Sequence, residues 1–257
     1  MKYKGFEYID KNGQSELRLV MPEELKPHFF ASIYCRGNIM DRSDGDPELI
    51  WQSLSSNFNN ISLVAPYQVH GTHVIPSISS FALPLRPEAD GVHLNTSSDS
   101  MASLRFADCA PVVIASDSPQ PWMLLLHSGF VGTSKNIVRR SLAGLSNRDA
   151  GSMGVRTHAW IGPCICKECY FRKIDDQMTQ NALNVFDPDN YYERNGMAHF
   201  DIRAEIISQL MQCGIPYDNI YAVEDCTQCN NGLYYSYRAG DQRSRIFLLG
   251  GNTTKYA

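Results

Sequence analysis

The chain has 257 residues with 23 Lys and Arg against 27 Asp and Glu, a net charge of −4, and 43% apolar with 19% charged residues, the balance of a folded soluble protein rather than a disordered one. It has no basic block, which argues against nucleic acid or an anionic membrane as a partner. The length can bury a substantial core, and the simplest organisation is one domain over 1–257. Met1 to Asp10 lacks the apolar centre of a signal peptide, and no run approaches the roughly 20 apolar residues of a spanning helix. The expected location is the cytoplasm, where the eight cysteines stay reduced.

Along the chain, Met21 to Asn60 is interrupted by Pro22, Pro27, Gly37, Gly45 and Pro47 and reads as loops around one or two edge strands, with a short helix from Pro47 to Leu54. Short β-rich runs follow at Ile61–Val64, Met101–Phe106, Val112–Ala115, Met123–His127, His158–Ile161, Ile220–Val223, Leu233–Tyr237 and Ile246–Leu249. Helices are expected from Thr133 to Leu145, from Asp175 to Val185, and from Asp201, whose carboxylate can cap a helix with Ile202, Ile206 and Leu210 on one face and Gly214 as its left-handed stop. Strands and helices interleave without strict alternation, so the class is mixed, α/β (α+β), in a single domain.

Three residues at strand boundaries carry the strongest chemistry. His70 lies in Gln68-Val69-His70-Gly71, Cys109 in Ala107-Asp108-Cys109-Ala110-Pro111, and His127 closes the apolar run from Trp122 before the turn His127-Ser128-Gly129. A rigid sheet presents reactive side chains at such ends. Two imidazoles and a thiolate suit zinc, and three protein ligands leave a fourth position for a water acidified toward neutrality. Asp90 or Asp108 could hold the imidazoles or relay a proton. The same residues also fit a metal-free site, with Cys109 as nucleophile and a histidine as base. The bland alternative is that each is an ordinary packing residue.

A rival set is Cys166 and Cys169 with Cys226 and Cys229, two C-x-x-C pairs able to bind a structural zinc, although 56 residues separate the pairs and Cys164 is left over. Arg238, in Ser236-Tyr237-Arg238, could clamp an anion or form a structural ion pair. His73 and His93 flank the motifs as candidate supporting groups.

Taken in order, Gln68 to Gly71, Ala89 to Gly91, Ala107 to Pro111, His127 to Gly132, Ile161-Gly162-Pro163, Cys226-Thr227 and Ser236 to Arg238 resemble the QVHG, ADG, ADC-x-P, HAGWRG, GP, CT and SYR elements of the YfiH-like laccase-domain family. Its members are known as purine nucleoside phosphorylases or polyphenol oxidases. The resemblance implies that His70, Cys109 and His127 are the zinc ligands and catalytic centre, with Gln68, Asp90, Asp108 and Arg238 toward substrate. It implies a four-layer αββα sandwich of mixed sheets. The expected activity is zinc-dependent phosphorolysis of adenosine, inosine, guanosine or methylthioadenosine, or adenosine deamination. The substrates would be a purine nucleoside and phosphate, and the protein a monomer or weak homodimer. The alternatives are a copper-dependent (Cu2+) polyphenol oxidase, a peptidoglycan-precursor editing hydrolase, and a degenerate binding protein.

Departures from the family pattern fall on cations and aromatics. Phe130-Val131 stand for Trp-Arg, Ser53-Leu54 for Asn-Arg, and only Cys35-Arg36-Gly37 remains of an Arg- and Gly-rich N-terminal pattern. Phosphorolysis requires cations around phosphate, and Arg36, Lys135, Arg139 and Arg238 are the replacements to look for.

Overall fold

A computed structural model describes residues 3–59, 61–145 and 154–253; Met1, Lys2 and Asn60, which bound segments discussed above, lie outside it. The chain opens with a hairpin of β1 (Phe6–Lys11) and β2 (Gln14–Leu19), turned by Asn12 and Gly13 at φ 55° and 74°, as a two-residue I′ turn demands. Next come β3 (Phe29–Gly37), α1 (Asn38–Ser43) and α2 (Pro47–Leu54), the last capped by the Asp46 carboxylate accepting from the Glu48 N–H. The middle of the chain forms β4 (Leu63–Val64), β5 (Val74–Pro76), β6 (Gly91–Asn95), β7 (Met101–Phe106), β8 (Ala110–Ser116) and β9 (Trp122–Ser128). Then follow α3 (Phe130–Ser134), α4 (Ile137–Leu145), β10 (Thr157–Ile161), β11 (Phe171–Lys173) and α5 (Gln177–Leu183). The last elements are β12 (Tyr191–Arg194), β13 (Met197–Phe200), α6 (Ile202–Gln212), β14 (Ile220–Ala222) and β15 (Ile246–Asn252).

Two six-stranded mixed sheets, ordered β1-β2-β3-β15-β7-β4 and β14-β10-β8-β9-β6-β5, form the body, and β11-β13-β12 make a small third sheet. Side-chain alternation in β8 and β9 explains the stacking. Val113, Ala115, Met123 and Leu125 join the core shared with the first sheet, while Val112, Ile114, Leu124 and Leu126 join a second core against Ile137, Val138, Ile206 and Leu210 of α4 and α6. Both faces are thus covered, which is why these strands read as unbroken apolar runs. Each Val, Leu, Ile or Met side chain among them contributes about 1.5–3 kcal/mol on burial. Trp51 and Phe58 stack beside Phe30, so the N-terminal helical segment covers part of the first sheet.

Several expectations are corrected. Residues 21–59 are mostly ordered, and β3 is a central strand between β2 and β15, since Pro22 and Pro27 fall before it rather than in it. Leu233 to Tyr237 forms no strand but irregular backbone between two turns, in which Tyr234 and Tyr235 are buried. The single helix expected over Thr133–Leu145 is broken into α3 and α4 at Asn136, which adopts φ 58°. By contrast α6 has the cap expected of it, with the Asp201 carboxylate accepting from the Ala204 N–H and Gly214 at φ 88°. Among the described residues no helix is long and apolar enough to cross a membrane.

Candidate metal centre and its cavity

Asp90, at the start of β6, organises the site. Its carboxylate is fully buried and accepts hydrogen bonds from the backbone N–H groups of Val69 (3.2 Å), His70 (2.9 Å) and Gly71 (2.6 Å). This collar holds His70 at φ 58°, a left-handed conformation that costs a non-glycine residue energy. The same carboxylate takes the Nδ1–H of His127 at 3.0 Å, and the backbone N–H of His127 donates to the Asp90 carbonyl at 2.8 Å. Burial alone would raise the Asp90 pKa, but the bonds from His127 and the turn hold it below the ordinary carboxylate range. Burial pushes the His127 pKa down, so this imidazole is neutral, with its proton toward Asp90 and Nε2 left as the donor atom. Asp90 is fully buried and absent from the lining of the cavity described below, and its bonds fit the role of holding the imidazoles, one of the two read for it from sequence, better than that of a substrate contact.

Cys109 follows Asp108, whose φ of 85° is also left-handed. The Asp108 carboxylate accepts from Thr227 Oγ1 at 2.7 Å and from the Arg238 backbone N–H at 2.9 Å. The Cys226-Thr227 and Ser236-Tyr237-Arg238 elements thus meet on the turn that carries Cys109. Although Asp108 borders the cavity, both its oxygens are engaged in this clamp. Gln68 is likewise committed, with Oε1 accepting from the Arg105 N–H and Nε2 donating to the Arg105 carbonyl. Gly129 is required for close approach: a Cβ there would lie 2.3 Å from Cys109 Sγ.

One nitrogen each of His70 and His127 and the Cys109 sulfur lie within 4.8 Å of one another. The donor set and the oriented His127 fit zinc, which takes imidazole and thiolate together. Without a metal, burial and the carboxylates of Asp108 and Asp90 push the Cys109 thiol up to about 12, opposite to what a free nucleophilic cysteine needs. A bound cation reverses that balance and deprotonates the thiol.

The three residues border a cavity of about 660 Å³ that also receives Arg86, Arg105, Arg238, Arg243 and Arg245. Of the cations expected from sequence, only Arg238 is there. Arg36 is bidentate on Asp241 and stacks on Tyr235, and Lys135 and Arg139 are exposed on the surface away from the cavity. Val131 and Phe130 do border it, whereas Leu54 is buried in the first core and Ser53 bonds the Leu49 carbonyl. Arg105, from β7, was missed because it reads as an exposed position in an alternating strand. Burial and repulsion from Arg86 and Arg245 push its guanidinium down to about 10. Arg86 and Arg245 are also lowered, first by burial. Their hydrogen bonds go to backbone carbonyls: Arg86 to Ala65 and Pro66, Arg105 to Gly45, Arg245 to Asp241, Gln242 and Ser244. Tyr67, Tyr170 and Tyr237 add aromatic surface.

The chain is 29% identical over 136 residues to adenosine deaminase RL5 of an unknown prokaryotic organism, covering 51% of this chain and 50% of that protein. It is 28% identical over 160 residues to purine nucleoside phosphorylase YlmD of Geobacillus stearothermophilus, covering 59% and 55%. For a purine nucleoside phosphorylase of Aquifex aeolicus the identity is 29% over 181 residues, covering 70% and 78%. The chain thus spans about half the length of the first two relatives. The crystal structure of YlmD from Geobacillus stearothermophilus superposes with a TM-score of 0.79 at 22% identity, covering 96% of this chain and 98% of that one. YfiH from Bacillus licheniformis gives 0.76 at 19%, covering 97% and 99%. These likenesses establish the fold as mixed α+β with several mixed sheets. Residues 33–249 match the family described as multi-copper polyphenol oxidoreductase laccase, and the chain belongs to that family.

Proposed function

We propose that the chain is a zinc-dependent purine nucleoside phosphorylase. One observation carries the reading: His70, Cys109 and His127 open onto the same cavity as Arg86, Arg105 and Arg245, which among the described residues form no direct ion pair; Arg105 is repelled by the other two, and Asp46 on the cavity wall offsets only part of that repulsion. Placing like charges together in a partly buried site costs stability, and a dianionic phosphate is the ligand that offsets it. The family resemblance's missing cations are thus supplied from other positions. Zinc, when bound by His70, Cys109 and His127, would supply a Lewis acid. Asp90 keeps His127 neutral and aimed, Asp108 holds the Cys109 turn, and the guanidinium groups bind and orient phosphate. The rings of Tyr67, Tyr170 and Tyr237 suit a purine by stacking.

Deamination of adenosine is the second reading, supported by the name of the relative RL5; it would leave the arginine cluster without an anion to bind. A multi-copper oxidase reading has less support. Among the described residues the candidate metal groups offer only two histidines, His70 and His127.

The phosphate assignment is tested by initial rates at varied phosphate for the wild type and Arg245→Gln. Loss of a charged hydrogen-bonding partner, about 1.5–3 kcal/mol, predicts a phosphate KM raised at least about tenfold with a smaller change in nucleoside KM. An unchanged phosphate KM would remove this group from the phosphate site.

A further inference from the structure

A second group of metal-type ligands lies outside the cavity. Cys166 and Cys169 follow β10, Cys226 and Cys229 follow β14, and none of the four borders the site described above. The 56 intervening residues between the pairs do not separate them in space, because β10 and β14 are parallel neighbours and release their loops side by side. Cys164 and Cys226 form a parallel bridge, with the Thr227 N–H on the Cys164 carbonyl at 3.2 Å. Each C-x-x-C sits on a tight turn: Cys169 and Tyr170 N–H groups donate to the Cys166 carbonyl at 3.0 and 2.9 Å, and Asn230 N–H to the Cys226 carbonyl at 2.9 Å. Such turns bring the first and last cysteine sulfurs to one side.

All four sulfurs lie within 4.8 Å of one another, and those of Cys169 and Cys229 are 3.5 Å apart. A zinc ion with Zn–S bonds of about 2.3 Å needs tetrahedral S···S edges of about 3.8 Å, so the four are nearly at their places. Backbone N–H groups of Cys166 and Cys229 point at Cys226 Sγ at 3.3 and 3.5 Å, the kind of bond that steadies a metal-bound thiolate. Cys226 is buried and Cys229 exposed, which leaves an approach from solvent. Cys164, the odd cysteine, is packed in the second core and takes no part.

We infer that Cys166, Cys169, Cys226 and Cys229 form a second, closed metal centre, a tetrathiolate zinc site that staples the loop after β10 to the loop after β14. Binding releases the four thiol protons and leaves no open position, so the centre is structural rather than catalytic. Its effect reaches the cavity through neighbours in sequence. Tyr170, next to Cys169, lines the cavity, and Thr227, next to Cys226, holds Asp108 beside Cys109. The inference does not depend on which reaction the cavity supports.

The test is metal content by mass spectrometry together with the absorption of the cobalt-substituted protein, for the wild type, His127→Ala and Cys169→Ser/Cys229→Ser. The wild type should hold two zinc ions per chain and each variant about one. In the cobalt form, His127→Ala should keep the strong sulfur-to-cobalt band of four thiolates, and the cysteine variant should lose most of it. If the cysteine variant does not fold, His127→Ala alone decides. One zinc with the tetrathiolate band upholds the inference, and its absence overturns it. Wild-type protein with these cysteines as free thiols or disulfides, or with iron in place of zinc, would also overturn it.

Discussion

Asp90 shows how much one buried carboxylate can do. It satisfies three backbone N–H groups and the His127 imidazole at once, so Asp90→Asn keeps the shape but loses the charge and part of the acceptor capacity. Removing an orienting partner of a metal ligand commonly costs 10–100-fold in metal affinity. We expect a loss of about that size at the His70–Cys109–His127 centre, read by chelator competition on protein lacking Cys169 and Cys229 thiols; unchanged affinity would show that the turn holds its geometry without the charge. At this scale the sequence was informative about which residues meet, since histidine and cysteine at glycine-bearing strand ends are chemically conspicuous. It left roles open, offering Asp90 and Asp108 both as partners of the imidazoles and as groups toward substrate. Whether Asp90, Asp108 or Gln68 faces a ligand or its own backbone depends on hydrogen bonds between distant segments, such as Thr227 to Asp108, and no local pattern encodes them.

Among the elements, β8, β9 and β15 are legible because their apolar runs Val112–Ala115, Trp122–Leu126 and Ile246–Leu249 are uninterrupted, and α6 because cap, stripe and stop agree. The β1–β2 hairpin carries the strongest short hairpin signal, Asn12-Gly13, yet its strands alternate with charged residues and escape a search for apolar runs. The segment before Asn60 misleads for another reason: its prolines and glycines mark the ends of β3, α1 and α2 rather than an absence of structure. The tyrosines at 234 and 235 read as a strand from composition, but their hydroxyls reach Asp225 and Asp41, and the backbone turns to permit it. The two C-x-x-C spacings mark Cys166, Cys169, Cys226 and Cys229 as candidate ligands, but that the pairs meet across 56 residues is set by the parallel pairing of β10 with β14, a tertiary fact.

For the whole molecule, burial depresses the pKa of His93 and His158 below the ordinary 6.5. Their neutral folded forms give stability that is complete above pH 6.5 and is lost as pH falls from there toward the lower folded values, because the unfolded chain takes up protons first. Asp90 and Asp241 are lowered from 3.8, and their contribution persists until pH falls below that value, then disappears through the folded pKa. We expect two successive declines in urea midpoint on acidification, the first beginning near pH 6.5, and a weaker first decline in His93→Gln. A midpoint flat from pH 7 to 5 would contradict the assignment of neutral buried histidines.

The central claim is that one cavity joins a His-Cys-His metal centre to an arginine cradle for phosphate. The most direct measurement is mass-spectrometric product analysis of zinc-quantified protein given adenosine or inosine, with and without phosphate, beside His127→Ala. The account predicts free base and ribose-1-phosphate, formed only with phosphate and lost in the variant. Inosine from adenosine without need of phosphate, or no turnover by the zinc-loaded wild type, would contradict it.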